Sequence, residues 1–159
     1  MRKLVTKTSK SIKETSEIAA IFLEEILNIE NPNQGALVVG LVGDLGAGKT
    51  AFFQTVAKHL GVKGRVSSPT FVIMKKYPIK NKQYNFLFHL DAYRLKNEEE
   101  LLLLGWEEIL DDEKNIIFIE WPQNVLKVMP PNTKFVHISE DENGQKFFEF
   151  KKVFKARLV

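Results

Sequence analysis

The chain has 159 residues, 44% hydrophobic and 27% charged, enough for one domain with a buried core and too few for a second of ordinary size. It has no Cys, which excludes disulfides, thiolate zinc sites, iron–sulfur clusters and cysteine nucleophiles together. The formal charge of +3 is a Lys surplus, with Arg only at Arg2, Arg65, Arg94 and Arg157. The dense Arg and aromatic pattern of an RNA-reading module is missing, and no DNA partner is expected.

No stretch approaches the roughly 18–20 apolar residues of a membrane span. The charged start, Met1-Arg2-Lys3, is not followed by the apolar run and small-residue site of a secretory leader. A soluble cytoplasmic protein without a membrane partner is expected. No internal repeat or long linker interrupts the sequence.

Residues 3–7 predict a short edge strand. Ser11-Ile12-Lys13-Glu14 reads as a capping box, with Ser11 as N-cap and Glu14 reaching back. Ile18, Ile21, Phe22, Ile26 and Ile29 then recur at helical spacing, predicting a helix to about Leu27, closed by Asn31-Pro32-Asn33-Gln34-Gly35. Ala36 to Val42 is a continuous apolar run, the pattern of a strand buried on both faces. A glycine-rich loop follows, then Phe53, Val56, Ala57 and Leu60 at helical spacing before Gly61. Further strands are predicted at Phe71 to Lys75, Tyr84 to Asp91 and Asn115 to Glu120, with short helices over Asn97 to Leu104 and Glu107 to Leu110. In the tail, Asn143-Gly144 between two strand-like runs, Lys134 to Ser139 and Lys146 to Phe154, predicts a hairpin. The pattern predicts a single three-layer α/β domain of the P-loop type with a mixed sheet, parallel at its centre and antiparallel at one edge.

The loop Gly43-Asp44-Leu45-Gly46-Ala47-Gly48-Lys49-Thr50, followed by Ala51, has G-x-x-x-x-G-K-T spacing between a buried strand and an amphipathic helix. A polyphosphate wrapped by backbone N–H groups leaves no room for side chains at Gly46 and Gly48. The helix points its positive end at the same anion. Lys49 then lies along the outer phosphates, and Thr50 offers its hydroxyl to Mg2+.

Two acids end apolar strands, Asp91 and Glu120, where open α/β sheets bind ligands. One can join the magnesium shell and the other polarise an attacking water. His89, Asp91 and Tyr93 alternate, so an extended segment turns them to one side, with Arg94 following. Ser67-Ser68-Pro69-Thr70 reads either as a mobile phosphate-sensing loop or as an ordinary Ser-Pro turn. Trp121 either stacks near the site or packs.

Guanine recognition is disfavoured: in Asn81-Lys82-Gln83-Tyr84 the needed Asp is replaced by Tyr84, so ATP is the expected nucleotide. A small-molecule kinase is the main alternative, although the Arg-rich lid that such enzymes close over the phosphoryl group is missing. A nucleotide-gated adaptor is a third reading.

The loop, Ser68-Pro69-Thr70-Phe71, His89-Leu90-Asp91-Ala92-Tyr93-Arg94-Leu95 and Glu120-Trp121-Pro122, in this order, resemble the TsaE family over nearly the whole chain. That family is the ATPase component of bacterial tRNA threonylcarbamoyladenosine biosynthesis. The resemblance implies a cytoplasmic ATPase that works with the TsaD–TsaB heterodimer, reaching tRNA indirectly, through that complex. The product is a threonylcarbamoyl group on the adenosine next to the anticodon of tRNAs reading codons that begin with A. It further implies Lys49 on phosphate, Thr50 and Glu120 at the metal, Asp91 as an essential acid near metal or water, and a switch-like loop at Ser67, Ser68 and Thr70. Trp121 matches the family's aromatic neighbour. Ala51 replaces a frequent second hydroxyl, and Lys146 stands where a Gly-Arg pair often contacts the nucleotide.

Overall fold

The computed structural model describes residues 6–28, 35–67 and 73–151. Strand β1 (Thr6–Ser9) leads into helix α1 (Ile12–Leu27), whose N-cap Ser11 accepts the Glu14 N–H at 3.1 Å. The Glu14 carboxylate reaches back one residue further than a capping box requires, to the Lys10 N–H at 2.6 Å. Strand β2 (Leu37–Val42) carries the glycine loop, and helix α2 (Lys49–His59) opens from it.

Beyond these come β3 (Met74–Pro78), β4 (Phe86–Asp91), α3 (Glu98–Leu102), α4 (Trp106–Asp111) and β5 (Asn115–Glu120). A 3-10 helix (Pro122–Val128) and the hairpin of β6 (Lys134–Glu140) and β7 (Lys146–Lys151) complete the fold. The strand expected at Phe71 to Lys75 lies later, at β3. Phe71 and Val72 fall outside the described residues, as do Ser68, Pro69 and Thr70. So do the start of the first expected strand, most of the Asn31 to Gly35 turn and the last residues of the expected hairpin.

One seven-stranded sheet has the order β1-β7-β6-β2-β5-β4-β3. The centre is parallel, β2 lying between β6 and β5 and β4 beside β5. Antiparallel pairing occurs at both edges, not one: β3 on β4 at one side, β7 on β6 and β1 on β7 at the other. The sequence has no local marker for this, because which edge a strand joins is decided by long-range pairing.

The alternation of β2 and β5 divides the core. Leu37, Val39, Leu41, Ile116 and Phe118 face α1 and α2, where Phe22, Phe52, Phe53 and Val56 are buried. Val38, Ile117 and Ile119 face the other way, onto Leu101 of α3, Trp106 of α4 and Val125 of the 3-10 helix. The result is the expected three layers, with the sheet buried on both faces. Among the described residues no helix is long and apolar enough to cross a membrane.

Candidate functional site

The glycine loop emerges from the carboxyl end of β2, flanked by the carboxyl ends of β5 and β6. Gly43 is required by close approach: a Cβ there would press into the Ile138 carbonyl oxygen of β6. Gly48, the N-cap of α2, has φ 108°, a left-handed conformation that side chains disfavour. Its open face is occupied by Lys146, whose Nζ would lie 2.7 Å from a Cβ and donates to the Ala47 carbonyl at 3.1 Å. Glu140 Oε2 is 3.6 Å from the same amine. Lys146 of β7 therefore braces the loop. Leu45 and Gly46 form its exposed tip, and Ala47 packs into the core.

Lys49 is buried, and its Nζ donates to the Gly43 carbonyl and, at 3.4 Å, to that of Asp44. The ammonium also lies 4.2 Å from the Trp121 ring centroid. Burial lowers its pKa from 10.5, opposed by the charges of Glu120, Asp91 and Asp44. The same amine thus lies in the field of all three acids.

Parallel pairing of β4 and β5 puts Asp91 directly across from Glu120. Glu120 is buried, and its Oε2 accepts from Thr50 Oγ1 at 3.4 Å and lies 2.7 Å from His89 Nε2. His89 stacks on Phe53 of α2, centroids 3.8 Å apart. Asp91 Oδ1 accepts the Tyr93 N–H at 2.9 Å. Burial, aided by the Glu120 charge, raises the Asp91 pKa above 3.8, against the lowering effect of the Tyr93 N–H, His89 and Lys49.

Trp121 has φ 58°, the sole non-glycine residue with positive φ among the described ones. That turn throws its ring back over Lys49 and against Tyr93, centroids 5.0 Å apart. Asn124 holds the facing turn through the Ala92 carbonyl at 2.9 Å and that of Tyr93 at 3.3 Å.

The structure thus brings together Lys49, Thr50, His89, Asp91, Glu120, Trp121 and, on the loop's outer side, Lys146. Ala51 follows Thr50 in the first turn of α2, and Arg94 is exposed in the turn after β4. Tyr93 lies past the end of β4, and its ring meets the site through Trp121. Ser67 stands apart, its hydroxyl taking the Lys75 amine. Sequence reasoning missed Phe53 and Asn124. Phe53 is one turn beyond Thr50 and reads as ordinary core, and nothing marks Asn124 apart from its place just after Trp121-Pro122.

The donors fit Mg2+. Thr50 Oγ1 and the two carboxylates are hard oxygen ligands, too few for a closed cage, which suits a cation that keeps waters and phosphates. Among the described residues no group of three or more His, Cys, Asp or Glu could hold a metal by itself.

Comparison with known proteins adds identity to this geometry. The family profile described as "Threonylcarbamoyl adenosine biosynthesis protein TsaE" matches residues 9–148. The chain is 36% identical to the tRNA threonylcarbamoyladenosine biosynthesis protein TsaE of Rickettsia typhi, over 91% of this chain and 93% of that one. It is 33% identical to the Haemophilus influenzae protein of that name, over 74% of this chain and 70% of that one. The crystal structure of Bacillus subtilis YdiB superposes with a TM-score of 0.70 at 25% identity, covering 97% of this chain and 88% of that one. With the α/β fold, the loop and the facing acids in register, the chain belongs to the TsaE family of tRNA threonylcarbamoyladenosine biosynthesis proteins.

Proposed function

We propose that the chain is a magnesium-dependent ATPase that acts in the cytoplasm with the TsaD–TsaB heterodimer, and through that complex on tRNA. The observation that carries this reading is the meeting of Thr50 and Glu120, 70 residues apart, at 3.4 Å, with the Lys49 ammonium in the field of the same carboxylate. A hydroxyl, a carboxylate and an amine converge where the loop ends.

In this reading the loop amides and the start of α2 hold the phosphates of ATP. Lys49 leaves the carbonyls of Gly43 and Asp44 and lies along the outer phosphates. Thr50 and Glu120, with Asp91 beside them, would hold Mg2+, and a cation there would neutralise the charge gathered on the phosphates. Asp91, made more basic by its burial, accepts a proton from the attacking water. Lys146 keeps the loop in place from its outer side.

Phosphate release from ATP, measured with and without purified TsaD–TsaB, tests the reading. Stimulation by the pair and a requirement for Mg2+ are expected. Failure to bind the pair, or release that depends instead on an added small hydroxylated metabolite, overturns it.

A further inference from the structure

His89 is completely buried on β4, yet it points one nitrogen at an acid. Its Nε2 lies 2.7 Å from Glu120 Oε2. Its Nδ1 is equally buried and has no hydrogen-bond partner among the described residues. An ionised carboxylate only accepts hydrogen bonds, so Nε2 must carry the proton. At Nδ1 no described residue offers an acceptor for a second one. The Nε2–H is therefore the donor of this contact, held on Glu120 from inside the core.

The packing fixes where that donor points. The imidazole lies flat on Phe53, at 18° and 3.8 Å. Phe53 is one turn along α2 from Thr50, so one ring touches the helix that bears Thr50 and the strand end that bears Glu120. Thr50 Oγ1 reaches the same Oε2 as the imidazole does. Both protein donors thus fall on one oxygen, and Oε1 takes neither.

We propose that His89 is a positioning residue: an Nε2–H donor that pins one oxygen of Glu120 and reserves Oε1 for the cation or its water. The inference rests on the metal role proposed for Glu120. Ligating carboxylates are commonly oriented by such outer partners, whose loss lowers metal affinity or activity about 10–100-fold. Phe53 is part of the device, because its face holds the imidazole plane that selects the oxygen.

Long-range 1H–15N correlation spectra of the nucleotide-free protein at neutral pH read the tautomer directly. A proton on Nε2 is expected; an Nδ1–H tautomer with a bare Nε2 overturns the proposal. Two variants read the consequence. His89→Phe keeps the stack on Phe53 and loses the donor, whereas His89→Gln keeps a donor of similar reach. In His89→Phe, kcat should fall about 10–100-fold and half-saturation by Mg2+ should rise, with ATP affinity in EDTA unchanged. His89→Gln should recover most of both. Wild-type behaviour in His89→Phe, or an equal loss in the two variants, sinks the positioning role. The spectra need no nucleotide, so absent ATP hydrolysis in the wild type would refute the ATPase reading without touching the tautomer.

Discussion

The loop from Gly43 to Thr50 is eight consecutive residues shaped by their own backbone, while the wall opposite collects His89 and Asp91 from β4 with Glu120 and Trp121 from the end of β5. The loop supplies amides and one amine. The wall supplies carboxylates, and its geometry depends on the register that sets Asp91 across from Glu120. Among the described residues, two direct side-chain links join them, Thr50 to Glu120 and Lys49 to Trp121. Two parts built so separately should fail separately: damage to the loop should weaken nucleotide binding, and damage to the wall should slow turnover.

The sharpest way to break that division is a pair of variants. Glu120→Ala should lower ATP hydrolysis by about 100-fold or more while ATP affinity in EDTA stays near wild type. Lys49→Ala removes charge-assisted contacts and should weaken ATP binding by a few kcal/mol, about a hundredfold or more. Isothermal titration beside phosphate release compares them. If both variants lose affinity and turnover equally, loop and wall act as one unit.

A steric change to the loop comes next in size. The Cβ of Gly43→Ala would meet the backbone of Ile138, which cannot turn aside as a flexible side chain can. A loss of about 2–3 kcal/mol is expected, measured by urea denaturation. A loss within a few tenths of a kcal/mol would mean that the loop is not wedged against β6.

The difference between the two regions also explains what could be read from the sequence. The loop was fully legible, because its spacing and its flanking strand and helix are contiguous. The acids were legible as strand-terminal residues, since apolar runs end at Asp91 and Glu120. The hydrogen bond from His89 to Glu120 was not, because it crosses 31 residues and depends on β4 lying beside β5. Nor was the second antiparallel edge, as β3 carries no local sign of which strand it joins. The left-handed turn at Trp121 was hidden for a different reason: a bulky residue there is locally unfavourable, and what holds it is tertiary, the ring against Lys49 and Tyr93 and the backbone N–H on the Leu41 carbonyl at 3.3 Å.

That turn gives a smaller test with an unusual sign. In ordinary backbone Gly is less stable than Ala because its unfolded chain is freer. At φ 58° the order should reverse, with Trp121→Gly more stable than Trp121→Ala by about 1 kcal/mol. Both lose the same ring contacts, so the difference reports backbone alone. Thermal melts of the two variants decide it. Ala above Gly would mean that the turn relaxes when the indole is removed, and that the ring is what imposes it.

The smallest effect concerns a cost built into the wall. Burial raises the Asp91 pKa above 3.8, so its charged form is less favourable in the fold than in the unfolded chain. The charge therefore lowers stability at neutral pH, and this penalty shrinks as pH falls through the raised pKa and vanishes below 3.8. Asp91→Asn keeps an oxygen for the Tyr93 N–H and removes the charge. Because the side chain is half exposed, solvent screening holds the gain below about 1 kcal/mol, a rise in Tm of about 1–3 °C. The nucleotide-free variant should melt above wild type at neutral pH and together with it in acid, while its ATP hydrolysis falls. A variant that melts lower at neutral pH would show that Asp91 supports the fold. A variant that melts higher and still hydrolyses ATP would leave Glu120 as the only acid that the reaction needs.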